Sequence, residues 1–507
     1  MIDLNVSSSP AQPQQSVPIE QGIEACRDQF NHLLSEVLHS HHQEAHLVEA
    51  SIFKQLMQLG LLLLPLFFVN HQQGDYGPTL QTAQGLATRG RPSERSYFSI
   101  FGKLQVKRYL YSVGSMSFAP LDQFLNFPVR CYSYFLAERV NLLNIKGSYA
   151  ETVDLLYRFF NLKLSVSAAE TVSQESAALY QAYYEQKPSP DDLPDLKDYT
   201  VVSFDGKGVP MIKSEAIKIK GRQDKGEKKQ KKKEALVGVA YTTTAHVRTA
   251  EEVATNLVFP EQSTSTSAAA GSTEVIRYIA SVERPKKEVM NDMKQEIEDQ
   301  NFAETPLICV MDGAKCLWTY VQEVFKNIQN KVLILDIIHV LEYIWLMAHV
   351  KYEGKPAEAK QYVYDKLILI LQGKVASYIL ELQNELLGGS WKESHQKTFK
   401  KVITYLKNHK SYMKYHEYLA QGYPIGSGVV ESACSHVVKN RMELPGARWS
   451  VSGAEAILQL RSVVKSQDWD AYWAFYTTHI QKPDDLPPVN IRLSHPVKMD
   501  SGTPYAH

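Results

Sequence analysis

Apolar and polar positions change rhythm several times along the chain, and each change predicts an element. From Ile19 to Met57 apolar residues recur at helical spacing among His, Gln and Glu, which predicts helices that pack on each other or on a second copy. Leu59 to Val69 is an uninterrupted apolar stretch except for Pro65. A bilayer requires roughly 20 such residues, so a buried helix is expected there. Gln72 to Arg95 carries glycines and prolines and reads as a linker. Tyr97 to Tyr111, YFSIFGKLQVKRYLY, alternates about Gly102-Lys103 and predicts a β-hairpin. Between Pro120 and Lys187 the period turns helical. Ser148-x-x-Glu151 and Ser167-x-x-Glu170 are capping boxes that start helices near Tyr149 and Ala168, joined through NLKLSVS. That spacing suits a helix-turn-helix. The second helix brings no lysine or arginine before Lys187, so base reading and plain helical packing both stay open.

PSPDDLPDLKD marks a boundary, after which the pattern becomes β. YTVVSFDGKGV is a strand ending at Asp205, and EALVGVAYTTT pairs back on it across a lysine-rich loop. TNLVFP is expected as a third strand. The low-complexity EQSTSTSAAAGSTE follows, then a helix from about Thr273. LICVMDGAKCLW is a further strand ending at Asp312, and KVLILDIIHV another ending at Asp336 and His339. Leu341 to Gln421 reads as nearly all helix. In YPIGSGVVESACSHVVKNRMELPGARWS, Gly426 and Gly428 flank Ser427, where they suit conformations a side chain forbids. The helix that follows has an apolar face of Val429, Val430, Ala433, Cys434, Val437 and Val438, with Glu431 one turn inside. Ser452-x-x-Glu455 caps a last helix, and the tail from Lys482 is proline-rich and expected to be disordered.

Composition narrows the class. The 507 residues allow about three domains. Lysine plus arginine equals aspartate plus glutamate at 55 each, so any affinity for nucleic acid must come from local patches. Such patches are Lys103, Lys107 and Arg108 among the hairpin aromatics, Lys392, Lys397, Lys400, Lys401, Lys407 and Lys410 in the helical region, and Lys439, Arg441 and Arg448 before Trp449. A solvated face explains the first two groups equally well. Arginine forks suit phosphate, and a tryptophan can stack on an unpaired base or anchor a core. Five scattered cysteines without a Cys-x-x-Cys pair argue against a disulfide framework or zinc knuckle and for a reducing compartment. The opening residues lack the pattern of a secretion signal, so a cytoplasmic, nucleoid-associated protein without a membrane span is expected.

The chemistry sits in the acids. Asp205 and Asp312 lie where an apolar strand meets Asp-Gly, and a helix can bring the longer Glu431 in from the side. Each alone is a common turn or helix-start residue. Together, three carboxylates from separate elements could hold two hard cations about 4 Å apart, as two-metal phosphoryl transfer requires.

VVSFDGKGVPM, VMDGA, LDIIHVLEYIW, YPIGSGVVES and KNRMELPGARWS, in that order, resemble bacterial insertion-sequence transposases of the DDE type, specifically the ISKra type, relatives of Mutator-like transposases. The resemblance spans about half the chain and extends more weakly back to Tyr97. It implies an α/β fold with an RNase H-like mixed sheet, a helical insertion before the catalytic glutamate helix, and mainly helical N-terminal domains. The implied organisation is 1–95 helical region and linker, 96–190 hairpin and helix-turn-helix-like DNA-binding region, 197–340 first part of the catalytic domain, 341–421 helical insertion, 422–480 final catalytic helices and 481–507 tail. Asp205, Asp312 and Glu431 would be the catalytic, metal-binding triad for two Mg2+ ions, with Mn2+ as a substitute. Asp336 and His339 would support them, with His339 near the active centre. The implied partner is double-stranded DNA at element ends and target, met by a homodimer or higher oligomer. Many relatives carry a cysteine pair after the hairpin, where this chain reads YSVGSMSFAP. A nuclease without transposition and a non-catalytic transposase-derived DNA-binding protein remain as alternatives, whereas a two-carboxylate glycosidase fits neither the Asp-Gly strand ends nor the lysine-rich surfaces.

Overall fold

A computed structural model describes residues 19–71, 74–187, 197–219, 232–262, 273–299 and 306–480. The lysine-rich loop over 220–231, the low-complexity segment over 263–272, residues 188–196 of the proline-rich boundary, the opening residues and the tail lie outside the described residues. The chain divides into two units. One comprises residues up to Val140 with 153–165 and the stretch from Ala474; the other comprises 141–152 and 166–473.

In the first unit α1 (Ile19–His39) and α2 (Ala45–Asn70) form a hairpin, followed by a four-stranded antiparallel meander of β1 (Thr79–Thr82), β2 (Gly85–Ser99), β3 (Gly102–Val113) and β4 (Met116–Phe118). The hairpin expected about Gly102 is present. Ser99 pairs with Gly102, whose φ of 137° is a conformation open to glycine. The expected linker over 72–95 is instead mostly strand. β2 tolerates Pro92 because the pairing slips between Arg89 and Pro92, so no ladder donor is demanded there. Phe68, Leu104, Val106, Leu121 and Phe127 form the core under this sheet. The expectation that Leu59–Val69 is a buried helix is corrected. It is the second half of α2, on which only Gln55 and Phe68 are buried.

The connecting helices are α3 (Pro120–Phe124), α4 (Tyr134–Asn144), α5 (Tyr149–Phe160), α6 (Val166–Ser176) and α7 (Tyr180–Gln186). The Ser148–Glu151 capping box is formed, with backbone N–H groups donating across it at 2.6 and 3.1 Å. The Ser167–Glu170 box is not, because α6 starts earlier, at Val166, and leaves Ser167 inside the helix.

The second unit is built on β5 (Tyr199–Pro210), β6 (Lys232–Thr243), β7 (Thr273–Ser281), β8 (Leu307–Met311) and β9 (Lys331–Leu335), in spatial order β7-β6-β5-β8-β9. β5, β6 and β7 are antiparallel neighbours, while β8 runs parallel to β5 and β9 parallel to β8. All five residues of β8 are buried, as a central parallel strand covered on both faces requires. Between β5 and β6 lies the short α8 (Lys213–Ala216). Two expectations trade places here. TNLVFP belongs largely to a helix, α9 (Ala250–Val258), because Thr249 and Glu252 close a reciprocal capping box ahead of it. The third strand is β7, where a helix was expected, and α10 (Lys286–Asp299) follows it.

α11 (Lys315–Val324) joins β8 to β9. The helical region contains α12 (Ile337–Lys351), α13 (Pro356–Leu371), α14 (Val375–Gly388), α15 (Glu393–His409) and α16 (Tyr415–Ala420). Its lysines at 392, 397, 400, 401, 407 and 410 are exposed. It shares the core of the sheet through residues such as Ile344, Val363, Leu367 and Phe399. Last come α17 (Gly428–Ala433), a π-helical segment (Cys434–Lys439), α18 (Asn440–Met442), α19 (Val451–Lys465) and α20 (Trp469–His479). The N-cap of α19 is Ser450, which accepts from Gly453 N–H at 3.1 Å, and not Ser452. Glu455 turns inward to accept from Ser281 Oγ and from the N–H groups of Val282 and Glu283.

Candidate functional site: acids at one sheet edge

Strand register places the acids. Val202 of β5 lies beside Cys309 of β8, and Cys309 beside Leu333 of β9. Three residues on from each come Asp205, Asp312 and Asp336, so the three acids stand level across adjacent parallel strands. Asp312 and Asp336 directly follow β8 and β9, whereas the strand expected to end at Asp205 runs on to Pro210, still paired with β6, so Asp205 lies inside β5. Neighbouring strands are about 4.8 Å apart, which sets the scale of that row. Its electrostatic signature is at Asp312, whose carboxyl is raised above its usual range. Burial is the main cause, with Asp205 and Asp336 adding to it, while the Ala314 N–H and His339 act the other way.

Each acid is held differently. Asp205 accepts from Gly206 N–H at 2.6 Å and from the Cys434 thiol at 3.2 Å. That thiol is buried against Asp205, so burial first and the carboxylate next push it well above its usual range. Asp312 accepts from Ala314 N–H at 3.0 Å, and its carbonyl accepts from Trp318 Nε1 at 2.6 Å. Gly313 is required by a close approach. A Cβ there would lie 2.4 Å from the ring of Tyr405, which α15 brings in and which stacks on Tyr343 at 3.7 Å.

Asp336 is fully buried at the start of α12 and held by donors on both oxygens. Oδ1 accepts from Ile338 N–H at 3.0 Å and Ser427 N–H at 3.2 Å, and Oδ2 from Ser427 Oγ at 2.5 Å. Ser427 Oγ also lies 3.3 Å from Glu431 Oε1, so one hydroxyl joins the buried aspartate to the exposed glutamate. His339 Nε2 is 3.8 Å from Asp336 Oδ2, and its Nδ1 is 3.4 Å from Glu342 Oε2. Asp336, His339 and Glu431 each offer a ligand atom within 4.8 Å of the others. Among the described residues Asp205, Asp312 and Glu431 do not close to that distance as a set of three.

The expected triad is thus divided. Asp205 and Asp312 share the row, while Glu431 stands with the pair expected to support it. Oxygen donors with one imidazole suit a divalent cation, and the carboxylate-only row suits a hard one such as magnesium. Asp336, whose oxygens are occupied by N–H and O–H donors, fits the role of orienting its neighbours. Gly426 and Gly428 have no positive φ, so they do not mark forbidden backbone. A Cβ at Gly426 would meet Asp336 Oδ1 only at 3.8 Å, and one at Gly428 nothing within 4 Å.

Of the expected DNA contacts, Lys439 and Arg448 are exposed. Arg441 and Trp449 are corrected to packing roles, at 2 % and 4 % exposure. Arg441 Nε donates to the Asn144 carbonyl at 2.6 Å, and its guanidinium lies 4.6 Å over the Trp449 ring. Trp449 donates to the Met442 carbonyl at 3.0 Å and packs edge-on against Tyr149. Sequence reasoning missed Ser427, Tyr405 and Cys434. Only Ser427 carried a signal, as the one hydroxyl between two glycines ahead of the acidic helix.

No protein-family profile matches the chain, and comparison with curated proteins gives no match. Among solved structures the chain is similar to the Drosophila P element transposase strand transfer complex, at a TM-score of 0.23 and 10 % identity over 69 % of this chain and 81 % of that one. At that level neither the fold nor the activity of the neighbour transfers to this chain.

Proposed function

We propose that the chain is a DDE-type transposase with an RNase H-like catalytic domain, cutting DNA at the ends of an insertion sequence and joining the freed 3′ ends to target DNA. The observation that carries the reading is the level row of Asp205 within β5 and of Asp312 and Asp336 just after β8 and β9, with Glu431 brought beside Asp336 by a helix after a helical insertion. The strand order and directions, three antiparallel strands followed by two parallel ones, support the RNase H-like assignment.

Asp205, Asp312 and Glu431 would hold Mg2+ or Mn2+, which when bound lowers the pKa of an attacking hydroxyl and neutralises charge on the reacting phosphate. The chain's own residues do the positioning. The paired interior of β5 fixes Asp205 and the end of β8 fixes Asp312, Asp336 and Ser427 tie down the start of α17, and His339 stands at the rim where a phosphate oxygen could accept its proton. Lys439, Arg448 and the α15 lysines would follow the DNA backbone, making binding salt-sensitive.

The test is cleavage and joining of labelled DNA carrying the element ends, with Mg2+ or Mn2+, by the wild-type chain and by Asp205→Ala and Glu431→Ala. Activity lost in both variants with DNA binding kept supports the reading. Cutting equal to wild type removes the site. Cutting without joining leaves a nuclease, and binding without cutting leaves a non-catalytic DNA-binding protein.

A further inference from the structure

The α1–α2 hairpin is turned inside out. Gly22 lies against Leu66, Gln29 against Gln55 and Glu36 against Ser51, so the helices are antiparallel. Much of their shared seam is polar. The Ser51 hydroxyl donates to Glu36 at 2.5 Å, the Gln55 amide also donates to Glu36, and Gln55 Oε1 meets Gln29 and His32 at 3.4 and 3.2 Å. Large apolar side chains face out instead. Phe30, Leu34 and Val37 on α1, and Leu56, Leu63 and Phe67 on α2, are 41–50 % exposed.

These residues form two stripes on one face. At 100° per residue, the α1 stripe sits about a quarter-turn from the side that meets α2, and the α2 stripe about a quarter-turn from the side that meets α1. Both turns have the same sense along their own helix. Because the helices run in opposite directions, the stripes fall on the same side of the hairpin. On α2 the stripe reads Ile52, Leu56, Leu59 and Leu63, steps of four and three as in a heptad seam, and Phe67 continues it.

We infer that this face docks a second copy of the chain, hairpin on hairpin, as an antiparallel or parallel four-helix bundle. Area supports it. With large apolar side chains carrying on the order of 150–200 Å² each, the six exposed residues and the half-buried Ile23, Ile52 and Leu59 between them offer roughly 600–800 Å² per protomer, what a standard interface takes from each partner. A two-fold contact needs a self-complementary patch, and a heptad stripe is one. A bilayer is the competing occupant, since the 26-residue α2 has an 18-residue window of mean hydropathy 1.8. However, α2 is fixed along its other side to the meander, with Gly60 against Phe101 and Phe68 in the core with Leu104 and Val106. α1, which shares the apolar face, carries Glu20, Glu24, Arg27 and Asp28. The inference stands independently of the catalytic reading.

Light scattering with size exclusion on the full chain tests it. Wild type is expected at twice the 57.4 kDa chain mass. Leu56→Glu with Leu63→Glu is expected at the chain mass with an unchanged circular dichroism spectrum. The milder Leu56→Ala with Leu63→Ala, which cannot unmake a helix, should raise the dissociation constant at least about tenfold. Leu387→Glu, at an exposed apolar position of α14, should remain dimeric. A monomeric wild type, charged variants that stay dimeric, a Leu387→Glu chain that also dissociates, or wild type that floats with phosphatidylcholine vesicles as a monomer would each overturn the inference.

Discussion

Replacing Ser427 by alanine tests the link between the buried row and Glu431. Ser427 is 4 % exposed, and its hydroxyl donates to Asp336 at 2.5 Å and lies 3.3 Å from Glu431. Removing it leaves Asp336 Oδ2 without that donor in a fully buried position. A hydrogen bond to a charged group contributes about 1.5–3 kcal/mol, and the methyl fits where the CH2OH was, so no cavity offsets the accounting. In a domain of this size roughly 2 °C accompanies each kcal/mol, so the melting temperature should fall by about 3–6 °C. Glu431 loses its tether in the same step. Residues that orient a metal ligand typically change affinity or activity by about 10–100-fold, so Mn2+ affinity by calorimetry and strand cleavage should both fall by that order. A double-mutant cycle with Asp336→Asn separates the effects, and directly bonded partners should couple by about 1 kcal/mol or more. An alanine variant that melts within 1 °C of wild type, with Mn2+ affinity and cleavage unchanged, would refute the linkage.

Gly313→Ala should destabilise by about 1–3 kcal/mol in urea, because its Cβ meets the Tyr405 ring at 2.4 Å, and Tyr405→Leu should recover most of that loss. Trp449→Ala should cost about 3–5 kcal/mol by denaturation, whereas Lys439→Ala and Arg448→Ala should leave stability unchanged and reduce the salt dependence of DNA binding, measured by fluorescence anisotropy. Asp312 has its folded carboxyl raised from 3.8, so its contribution to stability is present below pH 3.8 and is lost as pH rises through the folded value. Asp312→Asn should therefore melt above wild type at neutral pH without metal, with the gap closing in acid. Saturating Mn2+ should reverse the order by stabilising wild type alone, by roughly 2.7 kcal/mol at a hundred times the dissociation constant, in a thermal-shift assay.

The sheet was legible where an apolar run ended at an acid. LICVM-Asp312 and KVLIL-Asp336 each set five strand residues before the carboxylate, and that equal offset foretold their level placement once the strands paired. TNLVFP was misread because a short apolar run fits a buried helix as well as a strand. Thr249-x-x-Glu252 immediately before it held the deciding signal, and the β-branched, aromatic TEVIRYIAS held the other. Residues 72–95 were misread because glycine and proline at a sheet edge and bulge look like a linker in one dimension. Arg441 was read as a phosphate contact because its neighbours are charged, and Trp449 was left between base stacking and a core role. Their partners Asn144 and Tyr149 lie about three hundred residues upstream, beyond any local pattern.

What no spacing conveys is how a glutamate on α17 acquires a fixed position while remaining exposed. The restraint runs inward from Glu431 to Ser427, to Asp336, and from Asp336 N–H to the Met311 carbonyl at the end of β8, while Ile337 N–H holds the Ile425 carbonyl at 2.9 Å. Behind Glu431, the π-helical segment frees carbonyls that an α-helix would engage. Arg461 of α19 takes those of His436 and Val437, a buried guanidinium replacing ladder bonds. The wider turn shifts the phase of everything after Cys434, so Cys434 can point at Asp205 while Val437 and Val438 stay in the core. The helix that carries Glu431 is thus pinned at its start by a strand-end aspartate and at its end by an arginine, and the first pin reaches only Oε1 of the glutamate, through Ser427.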